Sequence, residues 1–135
     1  MRKRVIAPVS IRPPFARYSH AVAVAAPTRF LFASGQLGVS ADDVIPDDIE
    51  DQAVLCFENI KAILEAAGTS LKNAVRMGVF LADLNDFQAM NEVFREFFPV
   101  DPPARTTVGC ALPRIKVEID CIALLPGDET VRTKQ

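Results

Sequence analysis

The sequence predicts an α+β fold in which two helices pack on one face of a mainly antiparallel β-sheet. Two stretches repeat apolar residues at three- and four-residue steps, and shorter stretches alternate apolar and polar residues. The final such stretch is apolar on both of its faces. The chain has 135 residues, of which 50% are apolar, enough for the core of one domain. We therefore expect residues 1–135 to form a single domain with a short N-terminal arm and a polar C-terminal tail.

The first predicted strands flank a turn. Residues 22–25 and 30–34 are short runs of β-forming residues, and residues 27–29 between them include a proline. This pattern predicts a β-hairpin. Residues 35–36 are predicted to end the second strand, and the Gly-, Ser- and Asp-rich stretch from there to Asp48 is predicted to be a surface loop.

The clearest predicted element is a helix that begins after Asp48, a good N-cap residue, and ends at Gly68, a typical helix terminator. Its apolar residues recur at helical spacing and predict one buried stripe. They are Ile49, Ala53, Phe57, Ile60, Ile63, Leu64 and Ala67.

A strand over residues 75–81 and a second helix follow. Asn85, with Gln88 three positions later, resembles a capping arrangement at the start of this helix. Prolines at 99, 102 and 103 are predicted to stop it. Its buried stripe is predicted to comprise Phe87, Met90, Phe94 and Phe97.

The last two strands are predicted over residues 105–110 and 115–125, with a bend at residues 112–114. Both faces of the final strand carry apolar residues, whereas two helices cover one face of a sheet. We therefore expect the opposite face to be buried against another subunit. Glu118 is predicted to lie on that second face.

Composition excludes several classes of protein. A net charge of −2 and a pI near 5.4 provide no basic field for nucleic acid or an anionic membrane. No signal-peptide pattern follows the basic residues at 2–4, so we expect a cytoplasmic protein.

The three cysteines lack Cys-x-x-Cys spacing and fit buried reduced thiols. His20 is the single histidine, which argues against a His-rich metal site, and we expect no metal.

Two charged residues near the C terminus are candidates for chemistry. Arg105 carries a planar, permanently charged guanidinium that suits two-pronged binding of a carboxylate. Glu118, if partly desolvated, can act as a general acid or base. A pocket between subunits is where we expect Arg105 and Glu118 to meet a ligand.

Six segments, spread in order over residues 15 to 125, resemble the Rid/YjgF family of reactive intermediate deaminases, once labelled endoribonuclease L-PSP. The segments are YSHAV at 18–22, LFASGQ at 31–36, NIKAILEAAG at 59–68, FLADLNDF at 80–87, PAR at 103–105 and VEI at 117–119. The resemblance implies a chorismate-mutase-like fold and a homotrimer with three clefts between subunits. It further implies hydrolysis of an enamine or imine to a 2-oxo acid and ammonia without a cofactor.

By the same resemblance, Arg105 binds the substrate carboxylate and Glu118 positions or activates the attacking water. Tyr18 closes one wall, Gly35 offers backbone polar atoms, and Asn91 lies near the cleft. Thr107 stands where relatives often have Cys or Ser, so its hydroxyl is expected to bind the ligand. Arg17 precedes the wall where the family usually has proline, and it adds a positive charge there.

Three alternatives remain open at this point. Arg17 favours a larger dicarboxylic enamine such as 2-aminomuconate, because it can meet a second carboxylate. A non-catalytic trimer that binds a 2-oxo acid and regulates a partner is the second alternative. Nucleic-acid cleavage, the third, follows from the old family label, and the acidic pI argues against it.

Overall fold

A computed structural model describes residues 3–25 and 29–126. The strands are β1 Lys3–Ile6, β2 Ala21–Val24, β3 Arg29–Leu37, β4 Ala74–Leu81, β5 Ala104–Gly109 and β6 Val117–Leu125; the helices are α1 Ile49–Ala66 and α2 Phe87–Phe97. One sheet pairs β1 with β2, and the other has the order β3-β6-β4-β5. Of the strand pairs, β4–β5 is parallel and the rest are antiparallel. The predicted α+β class is confirmed. No helix in the described part is long and apolar enough to cross a bilayer.

Helix α1 begins and ends where the sequence predicts. The Asp48 side chain accepts a hydrogen bond from the backbone N–H of Asp51 at 3.1 Å, which satisfies a free donor of the first turn. Gly68 adopts a φ of 94°, a left-handed conformation that glycine enters without a Cβ clash, just after the last helical turn. These two termini set the length of the helix that covers the sheet.

The start of α2 differs from the prediction. Residues Leu84–Asp86 form a short 3₁₀ turn, and the N–H of Asn85 donates to the Asp83 carboxylate at 2.9 Å. Asp86 then precedes the helix without making a side-chain cap. The predicted cap by Asn85 and Gln88 is therefore wrong, because Asp83 organises a separate turn ahead of α2.

Both helices pack on one face of the four-stranded sheet, and Phe57 of α1 lies at the centre of the contact. Its ring stacks on Phe97 at a centroid distance of 4.9 Å and meets Phe94 edge to face at 5.4 Å. Phe57 and Phe94 are fully buried, as are Met77 and Ile119 of the sheet beneath them. This aromatic cluster fixes α2, and with it the residues that α2 presents toward β5.

The predicted hairpin between the second and third strands is wrong. β2 pairs with β1, and β3 pairs with β6. Alternating residues predict that a strand forms, whereas the strand with which it pairs depends on tertiary packing. The N-terminal arm, which supplies β1, was not predicted to contain a strand. The predicted turn residues Pro27 and Thr28 lie outside the described residues, as does the predicted polar tail from residue 127.

The end of β3 was also predicted too early. The strand runs through residues 35–36 to Leu37, and its pairing with β6 shifts between Ala33 and Gln36, as at a β-bulge. The bulge lets the strand continue past the glycine at which it was predicted to end. This extension brings Leu37 opposite Glu118.

The face of the sheet away from the helices is partly apolar and open in the single chain. Phe32 is 72% exposed, Phe30 43% and Val108 41%. Glu118 lies on this face, as predicted, because its neighbours Val117 and Ile119 point into the core. Large apolar side chains grouped on one face of a sheet are typical of an interface.

The three cysteines are free thiols, and two of them match the expectation of burial. Cys56 and Cys121 are buried, whereas Cys110 is exposed, so the expectation is wrong for Cys110. Cys110 follows the last residue of β5, where the chain leaves the sheet for a loop. Burial raises the pKa of the Cys56 thiol to about 12, and the negative charge of Glu118 adds to the effect. Burial also raises the pKa of the Cys121 thiol to about 12, with a smaller contribution from the charge of Asp120.

We expect one thiol per chain to react when the native protein is treated with iodoacetamide at pH 8. The thiolate is the reactive form, and a pKa raised to about 12 keeps Cys56 and Cys121 protonated at that pH. Mass spectrometry should place the label on Cys110, and Cys110→Ser should remove it. All three thiols should react after unfolding. Rapid native labelling of Cys56 or Cys121 would contradict the burial seen in the structure.

Candidate functional site

Strand β5 directs Arg105 toward the helices. Arg105 pairs with Met77 of β4, which pairs with Cys121 of β6, and all three side chains point to the core side. Although charged, Arg105 is only 8% exposed. Its Nη1 donates to Asn91 Oδ1 at 3.0 Å and to the Arg17 carbonyl oxygen at 3.2 Å. Both of these acceptors are neutral.

Aromatic rings enclose the Arg105 guanidinium. Its central carbon lies 4.6 Å from the ring centre of Phe94, 5.4 Å from that of Tyr18 and 5.6 Å from that of Phe87. Burial lowers the pKa of Arg105 to about 10, an effect that Tyr18 partly opposes, so the group stays charged at neutral pH. A desolvated cation held by rings and neutral oxygens is a strong site for an anion.

Asn91 joins α2 to the loop that carries Tyr18. It is 5% exposed, and besides binding Arg105, its Oδ1 accepts from the backbone N–H of Arg17 at 3.3 Å. Backbone groups on both sides of Arg17 are thus held, one by Asn91 and one by Arg105. The Tyr18 hydroxyl in turn accepts from the N–H of Phe15 at 3.1 Å. These bonds keep the Tyr18 ring against Arg105.

Thr107 lies two residues after Arg105 on β5, so both side chains leave the strand on the same side. The Thr107 Oγ1 is buried and has no hydrogen-bond partner within the described residues. A buried hydroxyl without a partner costs free energy unless something fills that role. Thr107 therefore carries an unpaired hydroxyl on the side of β5 that also carries Arg105.

Glu118 and Gly35 form a second group on the opposite face of the sheet. Glu118 of β6 pairs with Phe80 of β4 and Leu37 of β3, and its side chain is half-buried. A Cβ built on Gly35 would lie 2.0 Å from Glu118 Oε2. Glycine at position 35 therefore leaves room for the Glu118 carboxylate, which a larger side chain there would displace.

The structure therefore divides the predicted site residues into two halves. The Arg105 half comprises Arg17, Tyr18, Asn91, Arg105 and Thr107; the Glu118 half comprises Gly35 and Glu118. Within one chain Arg105 and Glu118 lie on opposite faces of the sheet. Within the described ranges, no cluster of three or more His, Cys, Asp or Glu side chains is placed to hold a metal ion.

The residues of the two halves were all predicted from sequence, but the rings of Phe87 and Phe94 beside Arg105 were missed. Phe87 and Phe94 were interpreted as core residues of α2, and Phe94 is also a core residue. The available signal was their spacing, seven residues apart on the helix face that also carries Asn91. Sequence spacing cannot show which strand that face covers.

Comparison with known proteins decides the family. The family model described as endoribonuclease L-PSP matches residues 10–125 of the chain. The chain belongs to the Rid/YjgF family. The residues matched by the family model include the predicted span of resemblance, residues 15 to 125, and both halves of the candidate site.

Named relatives of this Rid/YjgF chain include deaminases. The 2-iminobutanoate/2-iminopropanoate deaminase of Dermatophagoides farinae is 38% identical over 127 residues, covering 91% of this chain and 97% of the relative. Escherichia coli TdcF, solved with bound serine, is 38% identical in sequence to this chain. The match covers 90% of this chain and 98% of the TdcF chain, with a TM-score of 0.68. The solved structure of the Rid family protein YyfB of Yersinia pestis is 27% identical in sequence. The match covers 93% of this chain and 100% of the YyfB chain, with a TM-score of 0.81.

Proposed function

We propose that this Rid/YjgF protein hydrolyses reactive imines and their enamine tautomers to 2-oxo acids and ammonia. The observation that carries the proposal is Arg105, a buried cation whose hydrogen-bond partners in the described residues are two neutral oxygens. Such a group is suited to a substrate carboxylate, which every amino-acid-derived imine possesses. The deaminase name of the Dermatophagoides farinae relative supports the reaction class.

The proposed reaction follows from the two halves. The substrate carboxylate binds Arg105, with the Thr107 hydroxyl as a further donor and Tyr18 as a wall. Glu118 accepts a proton from a water molecule, whose oxygen then attacks the electrophilic imine carbon. Glu118 returns that proton to the nitrogen, which gives a carbinolamine. Its C–N bond then breaks as the C=O bond forms, and the hydroxyl proton moves to the departing nitrogen to give ammonia. One water is consumed for each 2-oxo acid and ammonia released, and no cofactor is needed.

We propose that the complete site forms between subunits of a homotrimer. Arg105 and Glu118 lie on opposite faces of one sheet, so an Arg105 half and a Glu118 half can face each other only if they belong to different chains. The exposed apolar side chains Phe30, Phe32 and Val108 share the face of Glu118 and supply contact area for a neighbouring copy.

Release of 2-oxobutanoate from 2-iminobutanoate tests the function. The imine is generated from threonine by a dehydratase, and the wild-type protein is expected to accelerate the release. Glu118→Gln keeps the size of the side chain and removes its basicity, so kcat should fall by about 10²- to 10⁴-fold while KM changes little.

Glu58→Gln is the matched control for that experiment. Glu58 is exposed on α1, and its replacement should leave the rate unchanged. Full activity of Glu118→Gln would remove Glu118 from the mechanism. A wild-type protein that does not accelerate release would refute the deaminase proposal for this substrate.

A second candidate is a non-catalytic trimer that binds 2-oxo acids. The Arg105 half favours it, because its cation, rings and free Thr107 hydroxyl can bind a carboxylate without Glu118. The bound serine named for TdcF shows that one relative takes a small carboxylate. Calorimetric binding of 2-oxobutanoate together with no consumption of any imine would favour this candidate over the deaminase.

A further inference from the structure

An open cavity of about 440 Å³ lies beside the Arg105 half. Tyr18 lines it and also faces the Arg105 guanidinium, so the cavity and the carboxylate site share one wall. Arg105 itself does not line the cavity. The volume falls within the range of small-molecule sites, so the cavity has room for a substrate side chain.

The charges that line this cavity have one sign. Its cationic side chains are Arg17 and Arg95, and His20 lines it as well. The described residues that line it include no Asp or Glu. Two guanidinium groups with no lining carboxylate provide a positive potential directed at the cavity.

Arg17 is held in position by its backbone. Its N–H donates to Asn91 and its carbonyl accepts from Arg105. The Arg17 Cα, from which the side chain extends, is therefore held next to the Arg105 half. Arg95 lies one helical turn beyond Asn91 on α2 and approaches the same cavity from the helix. Asn91 therefore anchors the backbone of Arg17, and helix α2 carries Arg95 to the same cavity.

The possible competitors for these cations are weak. Arg95 Nη1 lies 4.0 Å from Glu92 Oε1, and the two side chains are 52% and 64% exposed. An exposed pair at that distance contributes little and leaves the guanidinium free to bind a ligand. Arg17 makes no ion pair within the described residues.

His20 lines the cavity and has one ring nitrogen without a hydrogen-bond partner in the described residues. Its Nε2 lies 2.8 Å from the Arg12 carbonyl oxygen, and because a carbonyl only accepts, Nε2 carries the hydrogen. The other nitrogen, Nδ1, is buried and has no partner within the described residues. With Nε2 as the donor, Nδ1 is an acceptor, so His20 supplies no donor for a carboxylate and the two arginines are the anion-binding groups.

We propose that this cavity is a second anion subsite, and that the preferred substrates are imines whose side chain carries a further carboxylate. The inference rests on the proposed function for its first anchor, since the carboxylate next to the imine carbon binds Arg105. The distal carboxylate binds Arg17 and Arg95. Hydrolysis consumes one water and yields a dicarboxylic 2-oxo acid and ammonia.

The test compares two imines that differ by one carboxylate. An oxidase generates 2-iminoglutarate from glutamate or 2-iminopentanoate from norvaline, and semicarbazide trapping follows the loss of each imine. The wild type is expected to favour 2-iminoglutarate in kcat/KM by at least about tenfold, as loss of a charge-assisted hydrogen bond would predict. The double variant Arg17→Gln/Arg95→Gln should lose that preference. Arg4→Gln, an exposed arginine of β1 that does not line the cavity, should keep it.

Calorimetry of product binding separates this inference from the deaminase proposal. The wild type should bind 2-oxoglutarate at least about tenfold more tightly than 2-oxopentanoate, and the double variant should bind the two alike. If that preference appears without turnover of either imine, the deaminase proposal fails and the subsite stands. If 2-iminopentanoate is consumed but neither assay shows a preference for the dicarboxylic compound, the subsite is refuted and the deaminase proposal stands.

Discussion

Replacement of Arg105 by alanine is expected to lower kcat/KM for 2-iminobutanoate by about 10³-fold, because it removes a charged, two-pronged hydrogen bond in a desolvated site. The rings of Phe87, Phe94 and Tyr18 exclude water around this guanidinium, which strengthens its attraction for an anion. Steady-state rates of 2-oxobutanoate release measure the loss. Arg105→Lys keeps the charge but not the planar fork, so we expect it to recover only part of the activity.

Folding of the Arg105→Ala variant has to be checked beside its activity. The change leaves the Arg17 carbonyl without its donor, while Asn91 keeps the N–H of Arg17. It also removes the cost of a buried cation, so we expect a stability change of no more than about 2 kcal/mol. Wild-type activity in a folded Arg105→Ala protein would exclude Arg105 as the carboxylate anchor.

A mixture of two inactive variants tests whether the site lies between subunits. Arg105→Ala and Glu118→Gln chains are unfolded together in equal amounts and allowed to reassemble. If each site takes Arg105 from one chain and Glu118 from its neighbour, about a quarter of the sites regain both residues by random assembly. No recovery in a mixture that has demonstrably exchanged subunits would show that both residues act from the same chain.

Replacement of Phe57 by alanine is expected to destabilise the protein by about 3–5 kcal/mol, the usual range for a buried phenylalanine. Its ring is fully buried and contacts the rings of Phe94, Phe97 and Phe98. Alanine would leave a cavity between α1 and α2. Because Phe94 also faces Arg105, loosening of α2 should weaken ligand binding as well as stability.

Urea denaturation at a fixed chain concentration measures the Phe57 effect, since association would otherwise shift the midpoint. Phe57→Leu keeps much of the volume and is expected to cost about 1–2 kcal/mol. Val44→Ala is the surface control, because Val44 is 56% exposed and its truncation should change stability by less than about 0.5 kcal/mol. A Phe57→Ala effect as small as that control would contradict the packing described for the two helices.

Local chemistry made much of this fold predictable from sequence. Asp48 as an N-cap and Gly68 as a terminator act within one helical turn, so residue types alone were enough to infer the limits of α1. The alternation that placed Glu118 on the face opposite the core is also local, because successive side chains of a strand point in opposite directions. Arg105 was predicted as an anion-binding residue from its chemistry and its family motif.

Contacts between distant segments decided the rest. The same alternation that predicts β2 and β3 cannot choose their partners, and packing pairs them with β1 and β6 instead of with each other. Likewise, no spacing along the chain shows that Asn91 of α2 binds Arg105 of β5, or that Arg17, His20 and Arg95 line one cavity. By itself the sequence determined both helices, the approximate positions of strands β2 to β6 and the polar candidate residues, because those properties depend mainly on near neighbours. Only the tertiary structure placed Arg105 on the helix side of the sheet, opposite the face that carries Glu118, because strand order and register depend on burial of the whole core.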